Sequence, residues 1–191
     1  MPTLQRCSYN EGSNFSAGVN LGLALFAANI AVWPLIGQIV KDGQDTYKAL
    51  KYAPFPVVSA PSGLAIGGGC EILLSSDAVE AHAESYIGLV EVGVGVIPAW
   101  GGCKEMLTRW VTNKKRPGGA MVAVGKVFEM IGTAKVAKSA FEAKEMMMLR
   151  EDDGIVMNRD RLLAEAKAKV LKLAPTYQVP ESISLSLPGP A

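Results

Sequence analysis

The order of hydrophobic and polar positions divides the chain into a first half that contains strands and a second half of helices. Short apolar runs between turn residues are typical of buried strands, and they predict strands at 6–9, 56–60, 78–83 and 86–88. Helical spacing predicts helices at 44–51, 69–75, 101–113, 119–131, 134–149 and 159–174. Because strands and helices alternate only in the first half, the pattern predicts an α/β fold with a helical C-terminal region.

The longest uncharged stretch runs from residue 12 to 40, and its part from 21 to 40 predicts one apolar helix. By length alone such a helix spans a lipid bilayer. The polar residues Asn29 and Gln38 and the internal Pro34 interrupt it, and no aromatic belt flanks it. These features favour a buried helix of a soluble domain over a transmembrane segment.

The length of 191 residues and the hydrophobic content of 49% predict one folded domain with a hydrophobic core. We expect the core over 1–115, a helical C-terminal region of the same domain over 116–176, and a loose tail over 177–191. The tail is expected to be loose because it contains several prolines and few large apolar side chains.

The charge and cysteine content exclude several classes of protein. The formal net charge is +1, so there is no basic excess to neutralise the phosphates of a nucleic acid. The three cysteines, Cys7, Cys70 and Cys103, form no CxxC pair, and His82 is the single histidine. This set fits neither a disulfide scaffold nor a zinc site, and it is typical of a protein of the reducing cytoplasm.

A triple glycine, Gly67-Gly68-Gly69, lies between a predicted strand and a predicted helix. Glycines at such a turn let a ligand approach the backbone, and the free N–H groups at the helix start favour negative charge. The sequence is not a P-loop, because no Gly-Lys-Ser/Thr follows, and it lacks the spacing of a dinucleotide-binding motif. The loop therefore predicts a site for an oxyanion, with close helix–strand packing as the alternative interpretation.

Two carboxylates, Glu71 and Glu91, lie in otherwise apolar stretches. Burial of a carboxyl group raises its pKa towards the range in which it acts as a general acid or base. We therefore take both as candidate catalytic residues, with a position at the protein surface as the alternative for each.

A turn of small residues at 15–19 precedes the apolar helix and offers a second free backbone N–H. Two converging N–H groups would form an oxyanion hole for a thioester enolate, and a plain turn before a helix is the alternative. Trp100 lies close to Glu91 along the chain and is a candidate for the wall of an acyl pocket.

Taken together, these segments resemble the signature of the crotonase (enoyl-CoA hydratase/isomerase) family. The resemblance extends over residues 7–115, and Phe15–Gly18 is similar to the first oxyanion loop of the family. The remaining matching segments follow in the order of the family: Pro56–Val58, Gly63–Glu71, Asp77, Gly88–Pro98, Gly101-Gly102 and Leu107–Arg109.

The resemblance implies a crotonase fold, built from ββα turns with a helical C-terminal region. It assigns the oxyanion N–H groups to Val19 and Gly68, and it assigns the acid–base pair to Glu71 and Glu91. In the family this pair activates water for attack at C3 and supplies a proton at C2. With both acids present, the resemblance favours an enoyl-CoA hydratase of fatty-acid β-oxidation.

The substrate implied by the resemblance is an acyl-CoA thioester, and no further cofactor and no metal are expected. The residues expected to bind the substrate beside the pair and the oxyanion hole are Ala17, Gly18, Gly67, Pro98 and Trp100. The family also implies a homotrimer or hexamer with a helical trimerisation region.

The part from 128 to 177 is more similar to one subgroup of the family, the hydratase-like domain of bacterial bifunctional proteins that also carry a 3-hydroxyacyl-CoA dehydrogenase. A dehydrogenase partner is therefore a candidate. The chain departs from the family at Asn20, where many hydratases have Asp, and at Ala99, where Gly is frequent.

The first oxyanion loop lies only a few residues from the start of the chain, so the sequence predicts an N-terminally truncated fold without its first strands. Two other functions remain open at this point. The chain is alternatively an enoyl-CoA isomerase or another crotonase-type enzyme, or it is an inactive fragment or a subunit that depends on a partner.

Overall fold

The structure is a computed structural model that describes residues 6–115 and 118–187. Within these residues the strands are β1 (Arg6–Tyr9), β2 (Val57–Ala60), β3 (Leu64–Ile66), β4 (Ala78–His82), β5 (Tyr86–Gly88), β6 (Val136–Ala137) and β7 (Gly154–Val156). The α-helices are α1 (Leu21–Asn29), α2 (Trp33–Lys51), α3 (Gly68–Ser75), α4 (Gly102–Thr112), α5 (Gly119–Gly132), α6 (Ala140–Glu145) and α7 (Leu162–Leu173). Short 3-10 helices cover Glu91–Val94, Arg159–Arg161 and Ala174–Thr176.

The strands form two sheets. The first has the order β1-β2-β4-β7 with parallel pairing throughout, and β2 at its centre is buried along its whole length. The second has the order β3-β5-β6, in which β3 and β5 are parallel and β6 is antiparallel to β5. The predicted α/β fold with short buried strands is confirmed.

Two apolar clusters hold the sheets and helices together. The larger one joins α3 and the second sheet to α4, α5 and α6, and it includes Leu73, Ile87 and Met106. The smaller one packs α7 on the first sheet through Leu162 and Val170. Helix α3 is thus packed among neighbouring elements, so the residues of its first turn have fixed positions.

The prediction of one helix over 21–40 is wrong. Two helices occupy this stretch, and the break at Ala31 has a positive φ of 56°. Pro34 lies in the first turn of α2, where a missing N–H costs no hydrogen bond, so this proline begins a helix rather than interrupting one. The helix predicted at 44–51 is the second half of α2.

The expectation that this apolar stretch is buried is also wrong for α1. Ala27 is its one buried residue, whereas the exposed fractions of Leu23, Leu25 and Phe26 are 64%, 64% and 61%. No helix among the described residues is long and apolar enough to cross a membrane.

The prediction of one helix over 134–149 is wrong as well. Residues 136–137 pair with β5, and the short helix α6 begins after Ser139, whose side chain accepts a hydrogen bond from the Glu142 N–H at 3.1 Å. Strand β7 was not predicted. It pairs with β4, and a Cβ at Gly154 would displace the carboxylate of Glu80.

The tail from 177 to 187 contains no helix or strand, in agreement with the sequence, and residues 188–191 lie outside the described part of the chain. Tyr177 attaches the start of the tail, because its hydroxyl donates to the carbonyl of Ala53 at 3.1 Å and to Asp77 at 3.3 Å. The boundaries at 115 and 176 stay predictions.

Candidate active site

The triple glycine forms the turn from β3 into α3. Gly67 has a φ of +56°, a conformation that favours glycine, and its N–H donates to the carbonyl of Gly88 at 2.9 Å. Gly68 begins the helix, and the first N–H groups of a helix have no acceptor within it. Gly69 is required because a Cβ would overlap the carbonyl oxygen of Ser16. The turn therefore offers free N–H groups at a fixed place.

The turn at 15–19 lies directly against this loop. The Ser16 N–H donates to the carbonyl of Leu64 at 2.9 Å, and the Ile66 N–H donates to the carbonyl of Ser16 at 3.0 Å. Gly18 has a φ of +84°, and a Cβ on it would lie 3.1 Å from the nitrogen of Gly68. The structure thus brings the two segments predicted to hold the oxyanion together, with Val19 next in the chain.

Glu71 lies in the first turn of α3 and is only 2% exposed. Its Oε1 accepts hydrogen bonds from the N–H of Trp100 at 3.0 Å and from the N–H of Gly102 at 2.8 Å. The pKa of this carboxyl is raised to about 7. Burial is the main cause and the charge of Glu91 adds to the rise, whereas the hydrogen bonds from the two N–H groups oppose it. A group with this pKa exchanges protons near neutral pH.

Glu91 begins the 3-10 helix at 91–94 and lies on the other side of the glycine turn. A Cβ at Gly67 would lie 3.4 Å from Glu91 Oε1, so the carboxylate is next to the turn. Its Oε2 is buried without a hydrogen-bond partner among the described residues. Burial raises the pKa of Glu91, against the opposing effect of N–H groups at Val90 and Glu91. The site therefore holds two carboxyls of raised pKa.

Pro98 and Trp100 belong to the loop that supports Glu71. Pro98 is buried, and Gly102 fits between it and Glu71, because a Cβ there would lie 2.8 Å from Pro98 Cβ and 3.0 Å from Glu71 Oε1. Ala17 is exposed beside Gly18. The residues predicted to bind the substrate thus lie on the two loops that meet at the glycine turn.

Tyr47 of α2 was missed by the sequence analysis. Its hydroxyl donates to the carbonyl of Gly68 at 2.9 Å, and burial raises its pKa, with further contributions from Glu71 and Glu91. Its ring packs on Trp100 with 5.3 Å between the ring centroids. The two residues are far apart in the chain, so no local sequence pattern predicts that they pack together. The available signal is Gly43, one helical turn before Tyr47, because the absence of a side chain there leaves room for the indole of Trp100.

The arrangement suits proton transfer beside a stabilised oxyanion. N–H groups at the start of α3 favour developing negative charge, and two carboxyls with raised pKa values, the buried Glu71 and the half-buried Glu91, lie within electrostatic reach of each other. This combination is what an acid–base pair beside an oxyanion-binding turn requires.

The family comparison agrees with this geometry. Residues 13–168 match the family model described as "Enoyl-CoA hydratase/isomerase", and the chain belongs to this family. The predicted crotonase fold and the predicted family are both confirmed.

Relatives and solved structures give the same result. A Bacillus subtilis (strain 168) protein named "Probable 3-hydroxyacyl-CoA dehydrogenase" is 39% identical over 94% of this chain, which spans only 23% of that protein. A Rickettsia prowazekii (strain Madrid E) protein, provisionally named a fatty acid oxidation complex trifunctional enzyme, is 42% identical over 56% of this chain and 15% of its own length. The crystal structure of an enoyl-CoA hydratase from Polaromonas sp. JS666 has the same fold, with a TM-score of 0.72 and 22% identity over 89% of this chain and 60% of that one.

Proposed function

We propose that this chain hydrates trans-2-enoyl-CoA thioesters. The observation that carries the proposal is the pair of carboxyls, the buried Glu71 and the half-buried Glu91, beside the Gly67–Gly68 turn. Membership of the hydratase/isomerase family supports a reaction on an acyl-CoA. The presence of two acids rather than one favours addition of water, because hydration moves one proton from water and a second one to carbon.

In the proposed reaction the thioester carbonyl oxygen accepts hydrogen bonds from the N–H groups of Val19 and Gly68. One carboxyl of the pair takes a proton from water while the water oxygen bonds to C3, and the π electrons move onto the thioester as an enolate. The other carboxyl gives its proton to C2. The product is a 3-hydroxyacyl-CoA, and the pair again holds one proton in total.

The reaction consumes only water and the thioester, so the proposal includes no additional cofactor. We propose a place in fatty-acid β-oxidation, supported by the name of the Bacillus subtilis relative, because a 3-hydroxyacyl-CoA dehydrogenase oxidises the product formed here. A dehydrogenase is the proposed partner for the same reason. The free cysteines Cys7, Cys70 and Cys103 support a reducing compartment, and we propose the cytoplasm.

The test is hydration of crotonyl-CoA by the purified chain, followed as loss of the absorbance of the conjugated thioester. We expect Glu71→Gln and Glu91→Gln each to lower kcat by about 100-fold or more. The matched control is Glu84→Gln, since Glu84 is exposed on the surface and the substitution is chemically the same.

Each other outcome counts against the proposal. Isomerisation of a 3-enoyl-CoA without hydration would replace it with an isomerase of the same family. A folded chain without either activity would favour an inactive or partner-dependent subunit. Activity that survives both substitutions would place the chemistry elsewhere.

A further inference from the structure

The rings of Tyr47 and Trp100 form an aromatic wall beside the oxyanion turn. Their centroids are 5.3 Å apart and their planes are inclined by 34°. Both rings lie close to the Cα of Gly68: a Cβ on this glycine would lie 3.1 Å from Tyr47 Oη and 3.2 Å from Trp100 Cζ3. The aromatic wall thus occupies one side of the residue that is proposed to hold the thioester oxygen.

The backbone of the aromatic wall also adjoins the carboxyl that is proposed to act at C2 or C3, because the backbone N–H of Trp100 donates to Glu71 Oε1 at 3.0 Å. In the proposed binding mode the thioester oxygen lies at Gly68 and the reacting carbons lie beside Glu71. We therefore expect the carbons that follow C3 to lie against the aromatic wall.

Three interactions hold the aromatic wall in place. The indole of Trp100 lies against the backbone of Gly43, where a Cβ would overlap the ring. The hydroxyl of Tyr47 donates to the carbonyl of Gly68 at 2.9 Å, and the side-chain amide of Gln44 donates to the carbonyl of Ala99 at 3.0 Å. Rotation of the Tyr47 ring would break its hydrogen bond to Gly68, and rotation of the indole would break its contact with Gly43.

A cavity of about 760 Å³ lies on the other side of the aromatic wall. Tyr47 and Trp100 line it together with Lys48, Lys51 and Lys104, whereas neither Gly68 nor Glu71 does. Ligand pockets of this volume accommodate groups far larger than a short acyl chain. The rings of the aromatic wall thus border both this cavity and Gly68.

We propose that Tyr47 and Trp100 determine substrate specificity by restricting the site to short acyl chains. The inference rests on the proposed function, because it assumes an acyl-CoA whose carbonyl oxygen is held at Gly68. A longer chain has to displace the rings from their contacts with Gly43 and Gly68, and this displacement reduces its binding.

The first test compares short and long acyl groups on the wild-type protein by two independent measurements. Hydration of crotonyl-CoA and of trans-2-octenoyl-CoA gives the ratio of their kcat/KM values, and calorimetric titration with butyryl-CoA and octanoyl-CoA gives the ratio of their Kd values. We expect the shorter acyl group to be preferred by about tenfold or more in both measurements.

The second test opens the aromatic wall. Trp100→Ala joins the site to the cavity, and we expect it to raise the octenoyl-to-crotonyl ratio of kcat/KM by about tenfold or more. Trp100→Phe keeps a ring and should leave the ratio close to that of the wild type. If Trp100→Ala does not fold, Tyr47→Ala removes the other ring of the aromatic wall, and its ratio is compared with that of Trp100→Phe. Phe141→Ala removes an exposed aromatic side chain of α6 and is the matched control.

The outcomes separate this inference from the proposed function. Selective binding of butyryl-CoA without turnover would sink the hydratase proposal and support the aromatic wall. Hydration of both enoyl-CoAs at equal kcat/KM would overturn the proposal that the aromatic wall restricts chain length, and it would leave the hydratase proposal intact. An unchanged ratio in a folded Trp100→Ala variant would have the same meaning. Absence of any acyl-CoA binding would overturn both.

Discussion

Burial of Glu71 gives this carboxyl its pKa of about 7 and also makes the folded chain less stable at high pH. Between its ordinary pKa of 4.5 and about 7, the folded state keeps a proton that the unfolded state has lost. The stability contributed by this group is therefore present at low pH and is lost as the pH rises through 7.

This linkage predicts a stabilising substitution. Glu71→Gln should raise the free energy of unfolding by about 2 kcal/mol at about pH 8 and by much less at about pH 5, because glutamine has no proton to lose. Urea denaturation at the two pH values measures the difference. The exposed Glu84→Gln is the control, and an equal effect of Glu71→Gln at both pH values would contradict the assigned pKa.

Gly18 keeps the N–H of Gly68 accessible. A methyl group at position 18 would lie 3.1 Å from the nitrogen of Gly68 and would cover that donor. Loss of one oxyanion donor reduces catalysis by about 100-fold or more, so Gly18→Ala should lower kcat for crotonyl-CoA hydration by at least this factor.

The control for Gly18→Ala separates backbone strain from lost access. Gly119 also has a positive φ, +73°, but nothing lies within 4 Å of a Cβ added there. Both alanine variants should lose about 1 kcal/mol of stability from the left-handed conformation, and Gly119→Ala should retain its activity. If the two variants lose activity equally, strain rather than access to Gly68 explains the loss.

At the scale of elements, Arg109 connects α4 to two neighbouring segments. Its guanidinium donates to the carbonyls of Met148 at 2.7 Å, Met147 at 3.3 Å and Leu74 at 3.3 Å, and burial lowers its pKa to about 10. A buried cation of this kind is stable because carbonyl oxygens replace its water. It therefore holds the end of α3 and the Met147–Met148 turn against α4.

Replacement of Arg109 leaves those carbonyls without a donor. Arg109→Ala should lower the free energy of unfolding by about 3 kcal/mol, measured by urea denaturation. Arg161 makes an exposed pair with Glu165 at 3.0 Å, and Arg161→Ala should cost less than about 0.5 kcal/mol. Similar costs for the two substitutions would mean that the contacts of Arg109 contribute no more than a surface ion pair.

The sequence predicted those elements whose pattern is local. Strand β2 and helix α5 follow from a short apolar run and from a helical period. The break at Ala31 was missed although Pro34 indicated it, because a proline is accepted in the first turn of a helix and not in its interior. Strands β6 and β7 have two and three residues, too few to show a repeated alternation of apolar and polar positions, and they pair with β5 and β4.

In the candidate site, too, the sequence analysis identified the residues that a local pattern marks. Glu71 and Glu91 were found because a carboxyl in an apolar stretch is unusual, and the glycine turn was found by its composition. Tyr47 was missed because its role depends on packing between α2 and a loop more than fifty positions further along the chain. Contacts of this kind are a property of the fold and not of any one segment.

At the scale of the whole molecule, two of the exposed apolar patches among the described residues lie on different helices. The first lies on α1 and includes Leu23, Leu25 and Phe26; the second lies on α5 and includes Met121 and Phe128, with Phe128 77% exposed. Exposed apolar patches on a folded chain mark interaction surfaces. Two different patches suit a head-to-tail contact between copies of one chain, and such contacts form a ring when the rotation from one copy to the next closes. This supports the homotrimer, or the hexamer formed by two trimers, as the proposed assembly.

The proposed ring predicts the oligomeric state of two single variants and of their mixture. Phe26→Glu disrupts the patch on α1 and Phe128→Glu the patch on α5, so each variant alone should elute as a monomer in size-exclusion chromatography with light scattering, whereas the wild type should have the mass of three or six chains. In an equimolar mixture, the intact α5 patch of the first variant meets the intact α1 patch of the second. The mixture should therefore form a dimer that neither variant forms alone. Dimers of each variant alone would show that each patch pairs with the same patch of a second copy, and a mixture that stays monomeric would show that the two patches do not contact each other.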